Sequence, residues 1–442
     1  MNVEVETLPN CIASLRIELP PDRVAKEWSK VVQEVRAVAR IPGFRPGKAP
    51  PGVVEAKFRK QIQEKVTNKL VSETTGEAIR QKGLKVLSIS NVDDVEFDSD
   101  KTLRFTTTLI TAPEFELPEY KGIPVKAPRI EVTEEEIQKA IEKLRESRAT
   151  FTEVEDRTLE LGDFAVIDYA TLADNRPLLE VYPKVPRMLG GGQAFWIKLD
   201  ENTFFKGFSD ELVGMRPGET REFGLAVGDD HPVRELAGKA LHFNVALKAV
   251  KNMRLPEVND EFASQIRAGL TLDQLHAVLK EEMTSDKKRL AETIKHNQII
   301  DYLVSRVECE LPQSYVKDET LRIMSEIVQE NQRRGITEEV LRQNQKDIVH
   351  AASRNAKERL KGNFILTKIA ERENMEVSAA EFKHRVEQLA DQYRTTHAKM
   401  MSELEEKGAT GQVREQVLIG KVLDFLTSNA NIEISSEGLV NS

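Results

Sequence analysis

Cysteine is nearly absent from this chain: 442 residues contain two, Cys11 and Cys309. So sparse and widely separated a pair argues against a disulfide framework or a cysteine-based zinc site, and fits a reducing compartment. Long apolar runs are missing as well, and none approaches a membrane span. The start, Met1-Asn2-Val3-Glu4-Val5-Glu6, has neither the basic region nor the apolar core of a signal peptide. These absences predict a soluble, cytoplasmic protein with no membrane partner. Positive charge is not in excess: 64 Lys and Arg against 73 Asp and Glu leave a net charge of −9. That balance argues against a general nucleic-acid binder, DNA included, and confines any basic contact to a local patch. The seven histidines (His231, His242, His276, His296, His350, His384, His397) show no HExxH or other ligand spacing, and there is no GxSxG elbow. The expectation is therefore no metal, no cofactor and no covalent nucleophile.

What is present is concentrated in one loop, Gly43-Phe44-Arg45-Pro46-Gly47-Lys48-Ala49-Pro50. Its two glycines and two prolines, the second being the closing Pro50, forbid helix and strand and favour a fixed turn. Helix-like periodicity on both sides places Phe44, Arg45 and Lys48 at the tip of a helical hairpin. A phosphate-binding loop is excluded. Only three residues separate Gly43 from Gly47, Ala49 stands where a hydroxyl is needed, and the preceding segment reads as helix. Arg36, Arg40, Arg45, Lys48, Lys57, Arg59 and Lys60 crowd the hairpin, and Glu34 and Glu55 are the only acids between positions 31 and 63. A basic tip on an acidic protein points to a specific anionic partner; a plain helix connection with a solvated face is the other reading.

Around the loop, Cys11, Ala13, Leu15, Ile17 and Leu19 alternate as a half-buried strand, and Pro20-Pro21-Asp22 ends it and starts a helix. Val24, Trp28, Val31, Val35 and Val38 mark the first helix; Val54, Phe58, Ile62, Val66 and Leu70 mark a second, stopped by Gly83. Two strands, 84–97 and 103–109, follow around the turn 98–101. Residues 113–130, with four prolines, read as an extended linker. Thr133 and Glu136 form a capping box ahead of a helix ending near Ser147. Residues 158–251 read as a small β-rich domain, with a strand over Phe164–Ala170, a turn or loop at Gly190-Gly191-Gly192, and a closing strand carrying Phe243, Val245 and Leu247. From Leu255 onward five long helices are predicted, the third running unbroken from Thr337 to about Asn374. Apolar stripes on such helices are core or exposed client surface, and one dimension does not distinguish them.

The loop residues Gly43, Phe44, Arg45, Pro46, Gly47 and Lys48 resemble the ribosome-binding signature of the bacterial trigger factors, and the order of parts resembles that family over essentially the whole chain. The resemblance implies an α+β multidomain fold. Residues 1–112 would be an α+β ribosome-binding domain, 113–157 a linker with a helix, 158–251 a small FKBP-like β-rich peptidyl-prolyl isomerase domain, and 252–442 an all-α chaperone domain with long helical arms. It implies an ATP-independent chaperone at the ribosomal exit tunnel, with a link to cell division. Its partners would be ribosomal protein and RNA, together with nascent and unfolded polypeptides, and the resemblance allows a weak homodimer. In the isomerase module the resemblance puts Tyr169, Phe205, Phe208 and Phe243 around the proline pocket. Phe205-Lys206 replaces the family's Ile-Pro, no aspartate–aromatic feature is clear in 177–180, and the loop near His231 has no tyrosine. Two other functions fit the same parts: a stand-alone prolyl isomerase with substrate-recruiting helical arms, and a non-catalytic ribosome-docked adaptor.

Overall fold

The structure, a computed structural model, describes residues 1–42, 44–45, 47–97, 102–154, 157–200, 203, 205–229, 231–334, 336 and 338–435. Gly43 and Pro46 of the loop, the turn 98–101 and Thr337 lie outside the described residues. The chain forms two compact units, Met1–Arg129 with Leu290–Ser442, and Ile130–Arg289.

In the first unit, β1 (Asn2–Leu8), β2 (Ile12–Leu19), α1 (Pro21–Val38), α2 (Pro51–Lys82), β3 (Val86–Phe97) and β4 (Leu103–Thr111) build an antiparallel sheet of order β1-β2-β4-β3 with its two helices. Strand alternation decides which face is covered: Ala13, Leu15, Ile17 and Leu19 of β2 and Leu103, Phe105 and Leu109 of β4 are buried. Arg16, Glu18 and Arg104 lie on the other face, where Arg104 pairs with Glu18 at 2.9 Å. Val31 and Val35 of α1 and Ile62, Val66 and Leu70 of α2 share one core with these strands. Pro21 opens α1 because its fixed φ suits the first helical turn. Gly83 ends α2 at φ +63°, and the Leu84 N–H donates to the Ile79 carbonyl at 3.2 Å, as a left-handed helix cap requires. Strand β1 was not predicted, although Val3 and Val5 alternate with Glu4 and Glu6 along it.

The proline-rich stretch 113–130 is extended, as read, but it is not a free tether. Tyr120, Ile123 and Val125 are buried, and β5 (Pro124–Ala127) lies within it. Proline removes donors without removing apolar side chains, so the segment packs through Ile123 and Val125 instead of through a helical ladder.

The second unit begins with α3 (Glu134–Ser147), whose Thr133–Glu136 capping box is formed. Then come β6 (Thr150–Val154), β7 (Phe164–Ala173), β8 (Arg176–Pro177), α4 (Leu178–Val181), β9 (Gly191–Lys198), α5 (Phe208–Leu212), β10 (Thr220–Ala226), β11 (Ala240–Arg254) and α6 (Asp260–Ile266). The strands form one sheet of order β10-β11-β7-β8, with β6 also on β11 and β9 also on β7. Its core holds Ile167, Tyr169, Phe205, Phe208, Leu241, Phe243 and Val245. A separate small cluster joins Ile137 and Ile141 of α3 to Phe262 and Leu275. The glycine triplet is only partly a turn: Gly191 and Gly192 begin β9.

The chain closes with α7 (Leu272–Arg306), α8 (Gln313–Arg333), α9 (Glu338–Gln343), α10 (Gln345–Arg372), α11 (Ala379–Gln392), α12 (His397–Glu406), α13 (Thr410–Ser428) and β12 (Asn431–Ile434). The predicted single helix from 337 to 374 is broken at Asn344, where φ −95° and ψ 12° leave the helical region. The Asn344 amide donates to the Val340 carbonyl at 3.0 Å, the side-chain competition that makes asparagine a poor helix former. Helix α12 and strand β12 were not predicted; β12 pairs in parallel with β5. The helices do not share one core. Ile299, Leu303, Ile365, Ile369, Val422 and Leu426 make the main cluster, with Tyr120, Ile123 and Val125 added to it. Phe382, Val386, Met400 and Val413 make a second, and Ile323, Ala352 and Ala356 a thin third. Leu321, Val340 and Tyr393 remain exposed on these outlying helices. Among the described residues no helix is long and apolar enough to cross a membrane.

Candidate functional site

The hairpin loop is anchored at both ends and open at its tip. Ile41 and Ala49 are buried in the core shared with α1 and α2. Between them the Phe44 N–H donates to the Ile41 carbonyl at 3.0 Å and the Lys48 N–H to the Arg45 carbonyl at 2.9 Å. Gly47 has φ +77°, a left-handed conformation that a side chain would strain. Two successive turns therefore hold the tip, and what they hold faces water. Phe44 is 41 % exposed, Arg45 and Lys48 are exposed, and Val38 and Val53 at the flanking helix ends are exposed too. Neither Arg45 nor Lys48 forms an ion pair with another described residue. Two turns into α2, Phe58 departs from helical geometry at φ −112° and ψ 20°, which kinks the helix between buried Val54 and buried Ile62.

The second candidate is the aromatic cluster of the β-rich unit. Gly207, at φ +87°, turns the chain so that Phe205 and Phe208 both point inward at the start of α5. Phe243 sits near the start of β11, opposite Phe223 of β10. Its ring centroid lies 5.3 Å from Phe205, 5.2 Å from Phe208 and 5.4 Å from Phe223, the spacing of favourable aromatic pairs. His231 stacks on Phe205 at 5.2 Å with the planes 15° apart. Tyr169 belongs to the same core; its ring meets Phe195 at 5.6 Å, and its hydroxyl donates to the Met188 carbonyl. Burial raises the Tyr169 pKa above the ordinary phenol value, which keeps that donor protonated. Three of the four expected pocket residues thus touch through Phe243. The fourth shares their core and is tied to a main-chain carbonyl.

Sequence reasoning missed Phe223, His231 and Phe195. The alternation of Phe223 with Leu225 was a readable signal; the stacking of His231 on Phe205 was not, because it depends on a loop. The glycine triplet also finds its purpose here. A Cβ on Gly191 would sit 2.8 Å from the Tyr169 carbonyl oxygen, and one on Gly192 would sit 3.1 Å from the Tyr169 ring. Two glycines let β9 cross Tyr169 at van der Waals distance, which is a packing role and not a phosphate cradle. Phe205 is 3 % exposed and fills the space between His231 and Phe243.

Comparison with known proteins decides the family. The model for the bacterial trigger factor protein matches residues 1–144, that for the trigger factor C-terminus residues 271–428, and that for the FKBP-type peptidyl-prolyl cis-trans isomerase residues 155–248. A trigger factor of Akkermansia muciniphila is 32 % identical over 99 % of this chain and all of its own length. The chain belongs to the bacterial trigger factor family. A trigger factor of Shouchella clausii is 28 % identical over 96 % of each chain. A solved trigger factor chaperone aligns with 97 % of this chain and 99 % of its own at 21 % identity and a TM-score of 0.47. As a member of this family the chain is a ribosome-associated chaperone that carries an FKBP-type domain.

Proposed function

We propose that this trigger factor docks beside the ribosomal exit tunnel through Phe44, Arg45 and Lys48 and shields emerging polypeptides without ATP. One observation carries the docking role. An aromatic ring 41 % exposed is followed by two cations that have no acid partner among the described residues, on a tip whose ends are buried. Exposing such a ring forgoes about 2 kcal/mol of burial, and the cations are free to pair with phosphate or carboxylate. The flanking Gly43 and Pro46 complete the loop. The test is co-sedimentation of the full chain with ribosomes. Phe44→Ala combined with Arg45→Ala and Lys48→Ala is expected to abolish it while the circular dichroism spectrum stays unchanged. Undiminished co-sedimentation of the folded variant would overturn the assignment.

Client handling then falls to the helical arms. Leu321, Val340 and Tyr393 offer separated apolar contacts on helices whose own cores are small, which suits unfolded chains of varied sequence. Crosslinking of an unfolded polypeptide to the arms tests this, and labelling confined to the β-rich unit would sink it. The division into residues 1–112, 113–157, 158–251 and 252–442 is part of the same proposal.

The β-rich domain is proposed to carry peptidyl-prolyl isomerase activity on the Tyr169, Phe205, Phe208 and Phe243 surface. The reaction needs no nucleophile. The isomerisation barrier of ~18–20 kcal/mol falls when a dry aromatic site removes water from the X-Pro amide and favours its twisted form. Phe205 occupies the position where the resemblance expects a smaller residue, and the activity expected is correspondingly low. A proline-limited refolding assay with the full chain measures it. Phe205→Ile should raise the rate by opening space beside His231; an unchanged rate would remove Phe205 from the site.

A further inference from the structure

The segments that carry the two cysteines, Cys11 and Cys309, lie far apart in sequence and meet in the first unit. Cys11 sits in the turn between β1 and β2; Cys309 lies in the irregular connection between α7 and α8. The Cys11 thiol donates to the Glu310 carbonyl at 3.2 Å, and the neighbouring Asn10 N–H donates to the Glu310 carboxylate at 2.8 Å. Gln313 reaches back to the Asn10 side chain at 3.4 Å. This turn is thus held by two hydrogen bonds to Glu310, the residue directly after Cys309, and by a third to Gln313. Both residues are partly exposed, which leaves them open to a small reagent. Cys11 also occupies φ +58°, a region where glycine or asparagine is the ordinary choice, so turn chemistry does not explain a cysteine there.

We propose that Cys11 and Cys309 are a thiol pair that closes to an intramolecular disulfide when the protein meets a low-molecular-weight disulfide. The Cys309 thiolate attacks one sulfur of the reagent RSSR, forms Cys309–S–SR and releases RS⁻. The Cys11 thiolate then attacks the Cys309 sulfur, forms the Cys11–Cys309 bond and releases a second RS⁻; the reagent is reduced to two thiols and the two cysteines are oxidised. Burial raises both thiols above the ordinary value; at Cys309 the nearby Lys361 charge opposes this rise, which favours Cys309 as the thiol that starts the exchange. Cys11 is raised first by burial, then by the nearby Cys309 and Glu310 charges, which makes it the slower partner and the natural resolving thiol. Neither partner lies in a helix or strand, so both backbones can adjust to the short Cα separation a disulfide needs. The closed bond would tie the ribosome-docking half of the first unit to its helical half.

The full chain is incubated with oxidised glutathione, alkylated, digested and analysed by mass spectrometry. The expected product has lost two hydrogens, contains a linked Cys11–Cys309 peptide pair and returns to two free thiols with a dithiol reductant. Cys309→Ser should leave a stable glutathione adduct on Cys11, and Cys11→Ser one on Cys309. Persistent glutathione adducts on both cysteines of the natural sequence, or disulfides only between separate chains, would overturn the proposal. So would free thiols that stay unmodified when the same reagent oxidises an exposed control cysteine.

Discussion

The hairpin tip and the aromatic cluster use the same residue type for opposite purposes. Phe44 is held in water by two turns and has exposed cations beside it; Phe205, Phe208 and Phe243 are buried against one another. A buried ring is explained by the packing it provides, so burial by itself says nothing of function. An exposed ring on an anchored loop has no such explanation, and its position points outward to a partner. The function of the tip therefore rests on what its fold leaves uncovered. The function of the cluster rests on whether its well-packed rings can open.

The sharpest way to break this contrast is to remove one ring from each region. Phe243→Ala should destabilise the β-rich unit by about 3–5 kcal/mol in denaturant titration, the cost of a large core cavity. Phe44→Ala should change stability by less than about 0.5 kcal/mol while weakening ribosome binding. Equal losses of stability would erase the distinction. Glycine substitutions probe it next. Gly191→Ala should cost about 1–3 kcal/mol, because its Cβ meets the Tyr169 carbonyl at 2.8 Å in a left-handed backbone region. Gly52→Ala, in the first turn of α2 with nothing within 4 Å, should be neutral or stabilising by up to about 1 kcal/mol. A loss at Gly52 would mean that the tip depends on close packing after all.

Salt separates the two sites by mechanism. If Arg45 and Lys48 both face phosphate, a fourfold rise in salt should weaken ribosome binding about tenfold. Proline-limited refolding by the same protein should change little, since no ion pair joins the rings. The smallest effect is expected with acid. Burial pushes the Asp163 carboxyl up, but the bidentate Arg157 guanidinium at 2.5 and 2.7 Å and the Glu160 N–H outweigh it, and its pKa is lowered. A carboxyl lowered on folding adds stability above its unfolded pKa and loses it as pH falls through the lower folded value. Acid unfolding of the β-rich unit should therefore show this loss below the ordinary carboxylate range, and Asp163→Asn should remove it. Arg157 is one-third exposed, which screens the pair and keeps the effect modest.

Much of the local structure was legible because local rules govern it. Alternation marked β2 and β4, the proline pair marked the start of α1, Gly83 marked the end of α2, and a capping box marked α3. Each signal lies within a few residues of its effect. The hairpin loop was legible for the same reason: its glycines, prolines, cations and aromatic are contiguous. Less was legible where partners are distant. Strand β12 forms only because β5 receives it.

By itself, then, the sequence determined most of the helices and strands and the make-up of the hairpin loop, because propensity, periodicity and motif spacing are written in neighbouring residues. Tertiary structure alone decided which apolar residues stay uncovered, since Leu321 and Ile323 lie on one helix and only the second is buried. It also decided that Phe205 fills the space between His231 and Phe243, and that Cys11 meets the segment carrying Cys309. Burial and long-range contact depend on where the whole chain folds back, and no local pattern encodes that.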